Sequence, residues 1–224
     1  PDAIRADDAA GVAEALSKVG ELANSWRVDA RELTIGIQSI EVTKLLVTHG
    51  AVDVNANVRE GDNDFVCTLM GGEGGVGSVA EQRGVLAFTI RHLDPPICAQ
   101  DTVGGNWSLL LWALNTRRYR AAHVLLDHVQ ALSKFPRQSG NVAFYLNAPC
   151  SISGNTALMC AALSIKDEFV FRLLELGADP RCRRGDGKCA LDLAPSWRRG
   201  KPAPARPKQL KQVKLLLELY MRGR

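Results

Sequence analysis

The sequence predicts an all-α fold in which pairs of helices stack on one another. Gly154 begins the stretch Gly-Asn-Thr-Ala-Leu, and Gly187 begins a related stretch 33 positions later. Between them, residues 169–174 place apolar side chains at the spacing of a helix that buries one face. A fixed period of this length is typical of repeat proteins, in which each unit buries its apolar surface against its neighbours.

The clearest unit covers residues 154–186, and its features have physical reasons. Thr156 is a residue type that caps the free backbone N–H groups at the start of a helix. The small pair Ala161 and Ala162 allows neighbouring helices to approach closely. Gly177 falls where the second helix ends, a position that favours a residue able to adopt the left-handed conformation.

With these residues, the segment 154–194 resembles the ankyrin-repeat family. The resemblance implies a curved solenoid of antiparallel helix pairs joined by hairpin fingers, with about six divergent units and several insertions. We expect one ankyrin-repeat domain over residues 1–224. Its clearest units are 154–186 and 187–220, and a Pro/Arg-rich insertion, 195–208, interrupts the second of them.

The remaining units are more divergent. Residues 3–16 resemble the helical part of a first unit, and residues 33–53 end in Gly-Ala-Val-Asp, much as the clear unit does. Residues 64–93 form a further divergent unit. In the last unit, we expect the second helix to fill its layer with Val213, Leu215, Leu216 and Leu217.

The unit at residues 105–126 matches the helix pair with one irregularity. Its opening glycine lies 49 positions before Gly154, so about 16 extra residues near 131–151 interrupt the regular period. This alignment places Trp107 where the clear unit has Thr156. On the same alignment, we expect Trp112 to pack between helices.

Composition limits the classes of protein that fit. Hydrophobic residues make up 46% of the 224 residues, and no run approaches the roughly 20 apolar residues of a membrane span. The first ten residues include three Asp and do not resemble a signal peptide. Because the sequence lacks an initiator Met, we expect a fragment of a longer protein. Six scattered Cys without a CxxC pair favour a reducing, cytoplasmic compartment, or the host cytosol for a secreted effector.

The formal net charge of +4 is unevenly distributed. Residues 195–224 contain nine Lys or Arg and one acid, Glu218. A basic, Pro-rich stretch can bind nucleic acid or an anionic membrane through phosphates. Because Trp197 is the only aromatic residue of 195–208, we favour a solvated insertion instead.

The Gly-rich loop 71–77 offers an alternative. Residues 72–77 match the pattern G-x-G-x-x-G, with the apolar stretch 65–70 before them and the helix-like stretch 78–93 after them. This is the context of a dinucleotide site. However, no second strand ending in an acid follows, so we interpret the loop as a connection between two helices and keep a nucleotide-binding enzyme as an alternative.

Two further motifs favour structural interpretations. The tripeptide 184–186 reads Arg-Gly-Asp, which integrins bind, but it falls at a hairpin tip where Gly and Asp are good turn residues. Cys182 and Cys189 lack the two additional ligands that a zinc site requires. We therefore expect no metal, no cofactor and no catalytic residue in this chain.

The resemblance implies that the chain binds a partner protein through its finger tips and the concave face of its first helices. The expected fingers lie near residues 57–63, 99–106 and 181–186. The residues expected to contact the partner are Asp101, Asn106, Trp107, Asn155, Arg181, Arg183, Arg184 and Asp186. Together with Lys188, the three arginines would form a basic finger suited to an acidic partner surface.

A substrate-recruiting domain of a larger enzyme is the second hypothesis. The irregular, insertion-rich units are loosely similar to the ankyrin regions that follow the ADP-ribosyl-transferring (arginine ADP-riboxanase) domain of some bacterial type III effectors. In that case the catalytic domain would lie outside this chain.

Overall fold

The computed structural model describes ten helices in residues 6, 8–19, 40–49, 79–91, 108–134, 139–150, 152–195 and 206–223, and no β-strand within those ranges. The fold class predicted from the sequence, all-α, is therefore confirmed. The chain divides into two compact units. The first consists of residues 1–96 and 123–128, and the second of residues 97–122 and 129–224.

The first unit contains helices α1 (Ala9–Val19), α2 (Ile40–Thr48) and α3 (Val79–Arg91). Helix α2 packs against both α1 and α3. Each helix buries side chains one turn apart, which gives it a single apolar face. The buried residues are Val12 and Leu16 in α1, Val42, Thr43 and Leu46 in α2, and Val85, Leu86 and Thr89 in α3.

The first unit also includes the middle of helix α5 (Tyr119–Ser133), at residues 123–128. Val124, Leu125 and Leu126 are buried there. Burial, with a contribution from the positive charge of Arg91, lowers the pKa of His128 below its ordinary value. The half-buried position of this imidazole therefore favours its neutral form.

In the second unit, the helices besides the two ends of α5 are α4 (Leu109–Asn115), α6 (Ser139–Asn147), α7 (Ala157–Leu163), α8 (Asp167–Glu175), α9 (Ala190–Leu193) and α10 (Pro207–Arg222). Helix α7 packs against α4, α6, α8 and α9, and α10 packs against α8 and α9. Residues 157–162 of α7 are all buried. This helix is consequently the core of the second unit.

The segments α4–α5 and α7–α8 begin in the same way. The hydroxyl of Ser108 accepts a hydrogen bond from the backbone N–H of Leu111 at 3.2 Å. The hydroxyl of Thr156 accepts one from Met159 at 3.4 Å. Each hydroxyl satisfies one of the free N–H groups at a helix start. The cap predicted for Thr156 is present, and Ser108 is its equivalent 48 residues earlier.

The turns that follow the two first helices are also alike. Arg117 and Ile165 both adopt positive φ angles, 63° and 52°, which few residues other than glycine do. The next residue in each turn donates its N–H back into the helix, from Arg118 to Ala113 at 2.7 Å and from Lys166 to Ala161 at 3.1 Å. The two turns therefore close with the same hydrogen-bonding pattern.

This offset of 48 residues corrects the alignment made from the sequence, which used 49. Ser108, and not Trp107, has the position of Thr156. The buried residues Ala113 and Leu114 then match the small pair of α7, and Trp112 is only partly buried. The error arose because the opening glycines were aligned, although the connection to the helix differs in length by one residue.

The described part of the extra residues between the two pairs includes the end of α5 and the whole of α6. Val142, Tyr145 and Leu146 of α6 are buried, whereas Phe144 is 62% exposed. The hydroxyl of Tyr145 accepts a hydrogen bond from the backbone N–H of Leu110, at the start of α4, at 3.1 Å. Helix α6 thus satisfies a second free N–H group of α4.

In the last helix, α10, the predicted inward-facing residues Val213 and Leu217 are buried, as is Leu210. The prediction for Leu215 is wrong, because its side chain is 53% exposed. Three consecutive leucines at 215–217 point in three different directions around a helix, so the sequence alone did not show which of them face inward.

Candidate partner-binding fingers

Two hairpin fingers of the second unit lie side by side. In the first finger, described at residues 150 and 152–155, the N–H of Cys150 donates to the carbonyl of Asn155 at 2.9 Å. In the second finger, residues 179–189, the N–H of Arg184 donates to the carbonyl of Lys188 at 3.1 Å.

A glycine with positive φ closes each finger, Gly154 at 67° and Gly187 at 79°. Gly154 also allows close packing, because a Cβ atom there would lie 3.1 Å from the Cβ of Arg184 in the second finger. The same arginine donates from Nη1 to Oδ1 of Asn155 at 3.3 Å. The two fingers are therefore joined near their tips.

The base of the second finger is joined to helix α6. The N–H of Asp179 donates to Oδ1 of Asn147 at 2.7 Å, and the Cys182 thiol lies 3.9 Å from the same oxygen. Asp179 in turn accepts a hydrogen bond on its carboxylate from the N–H of Arg181 at 2.8 Å. The second finger is consequently held by hydrogen bonds at its base to α6 and near its tip to the first finger.

At the tip of the second finger, Arg184 and Asp186 are bonded to each other. Nε of Arg184 donates to Oδ1 of Asp186 at 2.6 Å, and Nη2 donates to Oδ2 at 2.5 Å. Lys188 adds an ion pair to Oδ2 at 3.1 Å. The hydrogen bonds from Arg184 are the largest cause that holds the pKa of Asp186 well below its ordinary value. The side chains of the Arg-Gly-Asp tripeptide are thus engaged with each other.

The other two arginines of the finger also have partners within the chain. Nη2 of Arg181 donates to the carbonyl of Met221, near the end of α10, at 2.6 Å. Nη1 of Arg183 donates to the carbonyl of Gly187 at 2.6 Å and lies 3.8 Å from the Asp192 carboxylate.

These contacts change the picture of a strongly basic finger. Residues 179–189 contain four cationic and two acidic side chains, and Asp192 of the following helix α9 adds a third acid, which leaves a formal charge of only +1 over residues 179–192. A hydrogen bond from the backbone N–H of Cys189 is the first cause that lowers the pKa of Asp192, so this carboxylate is ionised at neutral pH. The finger offers paired charges, among which the side chains of Arg183 and Lys188 are 60% and 54% accessible, against 26% for Arg184.

An apolar residue is exposed at the tip of the first finger. Ile152 is 76% exposed, which is the largest value among the exposed large hydrophobic residues of the described chain. Sequence reasoning missed it, although an isoleucine between serines in a hairpin turn is an available signal. An isolated apolar side chain at a fixed tip can be inserted into a pocket of another protein.

The residues predicted to contact a partner have different locations. Arg181, Arg183, Arg184 and Asp186 all lie in the second finger. Asn155 is 9% exposed and accepts a hydrogen bond from Arg184, so it supports the fingers instead of presenting a surface. Asp101, Asn106 and Trp107, the expected fingers near 57–63 and 99–106, the Gly-rich loop 71–77 and residues 196–205 of the insertion lie outside the described residues.

The cysteines of the described part are all free thiols. Cys150, Cys160 and Cys189 are buried, and Cys182 is half-buried. Burial raises the pKa of Cys160 to about 12, with a contribution from Cys150.

In the described part of the chain, no group of three His, Cys, Asp or Glu side chains is placed to hold a metal ion. Among the helices built there, none combines the length and apolar character needed to cross a bilayer.

Comparisons with known proteins agree with this geometry. The sequence of residues 153–185 matches the family model described as the ankyrin repeat. A crystal structure of the ankyrin-repeat protein EF0377 is similar with a TM-score of 0.58 and 20% sequence identity, over 97% of this chain and 94% of that one. No curated protein matches the chain. The segment 153–185 is an ankyrin repeat, and the chain has the all-α ankyrin-repeat fold.

Proposed function

We propose that the chain, as a single ankyrin-repeat domain over residues 1–224, is a module that binds a partner protein through its fingers. The observation that carries the proposal is the hydrogen bond between Arg184 and Asn155, which fixes two exposed finger tips side by side. A partner that meets fixed tips loses less conformational freedom on binding than one that meets mobile loops. Ankyrin repeats are in general protein-interaction modules, which supports this reading.

The chemistry of the tips defines the partner surface that would fit. Ile152 would enter an apolar pocket, and burying its side chain stabilises a complex by about 1.5–3 kcal/mol. Arg183 and Lys188 would face carboxylates of the partner, because their side chains are more exposed than that of Arg184. Since both already have partners within the chain, we expect them to contribute mainly to orientation and association rate.

The test is recovery of partner proteins from the native source with the intact chain and with Ile152→Asp. The matched control is Leu163→Asp, which alters an exposed apolar side chain at the end of α7, 41% accessible. We expect Ile152→Asp to lose specific partners that both the parent chain and the control retain. Equal recovery of every partner by all three proteins would contradict the proposal.

A second pair of variants tests the charges. Arg183→Glu/Lys188→Glu is expected to slow association with the same partner, and raising the salt concentration is expected to reduce the difference. Arg120→Glu/Lys44→Glu is the control, because it changes the same number of exposed charges on helices α5 and α2. Arg184 is left unchanged, since its side chain holds the fingers together.

The hypothesis of a recruiting domain within a host-targeting effector has no support from the comparisons and stays a prediction. Its test is the full-length reading frame: an ADP-ribosyl-transferring domain encoded next to this chain would support it. A partner with an acidic surface and a cytoplasmic, reducing location are likewise parts of the proposal, to be tested by identification of the partner.

A further inference from the structure

Helix α10 presents two different faces. Leu210, Val213 and Leu217 are buried, and the helix packs against α8 and α9. On the opposite side, Leu215 and Leu219 are 53% and 52% exposed. Because residues four apart are adjacent on a helix, these two leucines form a short apolar stripe.

Cations surround this stripe. Lys208, Lys211 and Arg222 are exposed and lie on the same side of the helix by its period of 3.6 residues. No ion pair to any of the three is found within the described residues. We call the surface formed by Lys208, Lys211, Leu215, Leu219 and Arg222 the outer face of α10. Glu218, the single acid of the helix, lies at its edge.

The end of the helix is held in a fixed position. The guanidinium of Arg181 in the second finger donates to the carbonyl of Met221 at 2.6 Å. One residue earlier, the hydroxyl of Tyr220 is hydrogen-bonded to the carboxylate of Glu175 on α8. The outer face of α10 is therefore presented by an anchored helix.

We propose that the outer face of α10 binds an amphipathic helix of a partner protein in which acidic residues flank apolar ones. The stripe of Leu215 and Leu219 matches the i, i+4 spacing of apolar side chains on such a helix. The flanking cations require carboxylates opposite them. A second copy of this face would instead bring lysines against lysines, which disfavours self-association.

The same features argue against a lipid surface as the occupant. A helix that lies in a membrane interface inserts a wide apolar face. In α10 the larger apolar face is already buried within the protein, and the outer face contains only two leucines.

The first experiment uses the full chain to select from a displayed library of helical peptides. We expect the selected peptides to combine apolar residues at i, i+4 spacing with flanking Asp or Glu. A synthetic peptide from this selection is then titrated by fluorescence anisotropy. We expect Leu215→Glu/Leu219→Glu and Lys208→Glu/Lys211→Glu each to weaken binding about tenfold or more, as for truncated interface anchors.

Controls separate this proposal from a folding defect and from the finger proposal. Leu163→Glu changes an exposed leucine on α7 and is expected to bind the peptide like the parent chain. A peptide with Lys in place of its acids is expected to regain binding to Lys208→Glu/Lys211→Glu. Leu215→Gln/Leu219→Gln repeats the apolar test without new charge. The finger variant Ile152→Asp leaves α10 unchanged, so either proposal can fail alone.

Three results would overturn the inference. The first is a selection that yields no peptide sensitive to the α10 variants. The second is binding to phosphatidylserine vesicles that Leu215→Glu/Leu219→Glu abolishes, without any acidic peptide being selected. The third is a concentration-dependent dimer in sedimentation velocity that the same variant dissociates.

Discussion

The backbone N–H of Asp179 donates a hydrogen bond to the side-chain oxygen of Asn147 at 2.7 Å, which joins the end of α6 to the base of the second finger. Asn147→Ala removes this acceptor. We expect the free energy of unfolding in urea to fall by about 1 kcal/mol, the usual net value of one such bond. Asn115→Ala, at the corresponding end of α4, is the control and is expected to change stability little. A loss of equal size in both variants would contradict the role of Asn147.

Tyr145→Phe removes the hydroxyl that accepts from the backbone N–H of Leu110. Both groups are buried, so the N–H is left without an acceptor and we expect a loss of about 1–3 kcal/mol. Tyr119→Phe is the control. It removes a hydroxyl but keeps the ring whose centroid lies 5.6 Å from that of Phe169 and over which Nζ of Lys166 is placed. Thermal and urea unfolding measure both variants. A neutral Tyr145→Phe would show that the hydroxyl contributes nothing to stability.

Gly177→Ala tests the end of α8, where φ is 97° and no atom lies within 4 Å of an added Cβ. The substitution creates no clash, so its cost arises from the backbone conformation alone. We expect a loss of about 1–2 kcal/mol in the free energy of unfolding. Gly185→Ala, which also meets no atom but does not have positive φ, is expected to be close to neutral. Similar values for the two substitutions would contradict this explanation.

The carboxyl of Asp186 should titrate in NMR spectra well below its ordinary pKa of 3.8. Because the folded pKa is lowered, its contribution to stability is present above pH 3.8 and is lost as pH falls through the lower folded value. Arg184→Gln removes the largest cause and is expected to return the pKa towards its ordinary value. Lys214→Gln is a control of equal charge change. An unchanged titration of Asp186 in Arg184→Gln would refute the pairing at the finger tip.

The thiol of Cys160 should resist alkylation in the folded protein. With a pKa of about 12, it has almost no thiolate at pH 8, and its side chain is buried. We expect peptide mapping by mass spectrometry to find Cys182, which is half-buried, labelled before Cys160. Both should react rapidly after unfolding in urea. Labelling of Cys160 at the rate of Cys182 in the native chain would contradict this order.

The repeat at residues 154–186 could be predicted from the sequence because its informative residues act locally. Thr156 caps the helix that it begins, and Gly177 adopts its positive φ at the end of the helix that precedes it. Each of these roles depends on a few neighbouring residues only. Helix ends of this type can therefore be predicted from the sequence without knowledge of the fold.

The finger contacts could not be predicted in the same way. The bonds of Arg184 to Asn155 and of Arg181 to Met221 join residues 29 and 40 positions apart. Their existence depends on how the fingers and α10 pack, so the sequence indicated four cations but not that each has a partner. Leu215 shows the same limit for burial, because three consecutive leucines do not define a face.

Helix α6 interrupts the regular repeat period, and two of its neighbours depend on it. Tyr145 supplies the acceptor for α4, and Asn147 supplies the acceptor for the second finger. A shortened protein in which α6 was deleted to restore even spacing would leave both N–H groups in need of new acceptors. An addition of this kind, once its side chains have such roles, is difficult to remove in evolution or in protein engineering without compensating substitutions on both sides.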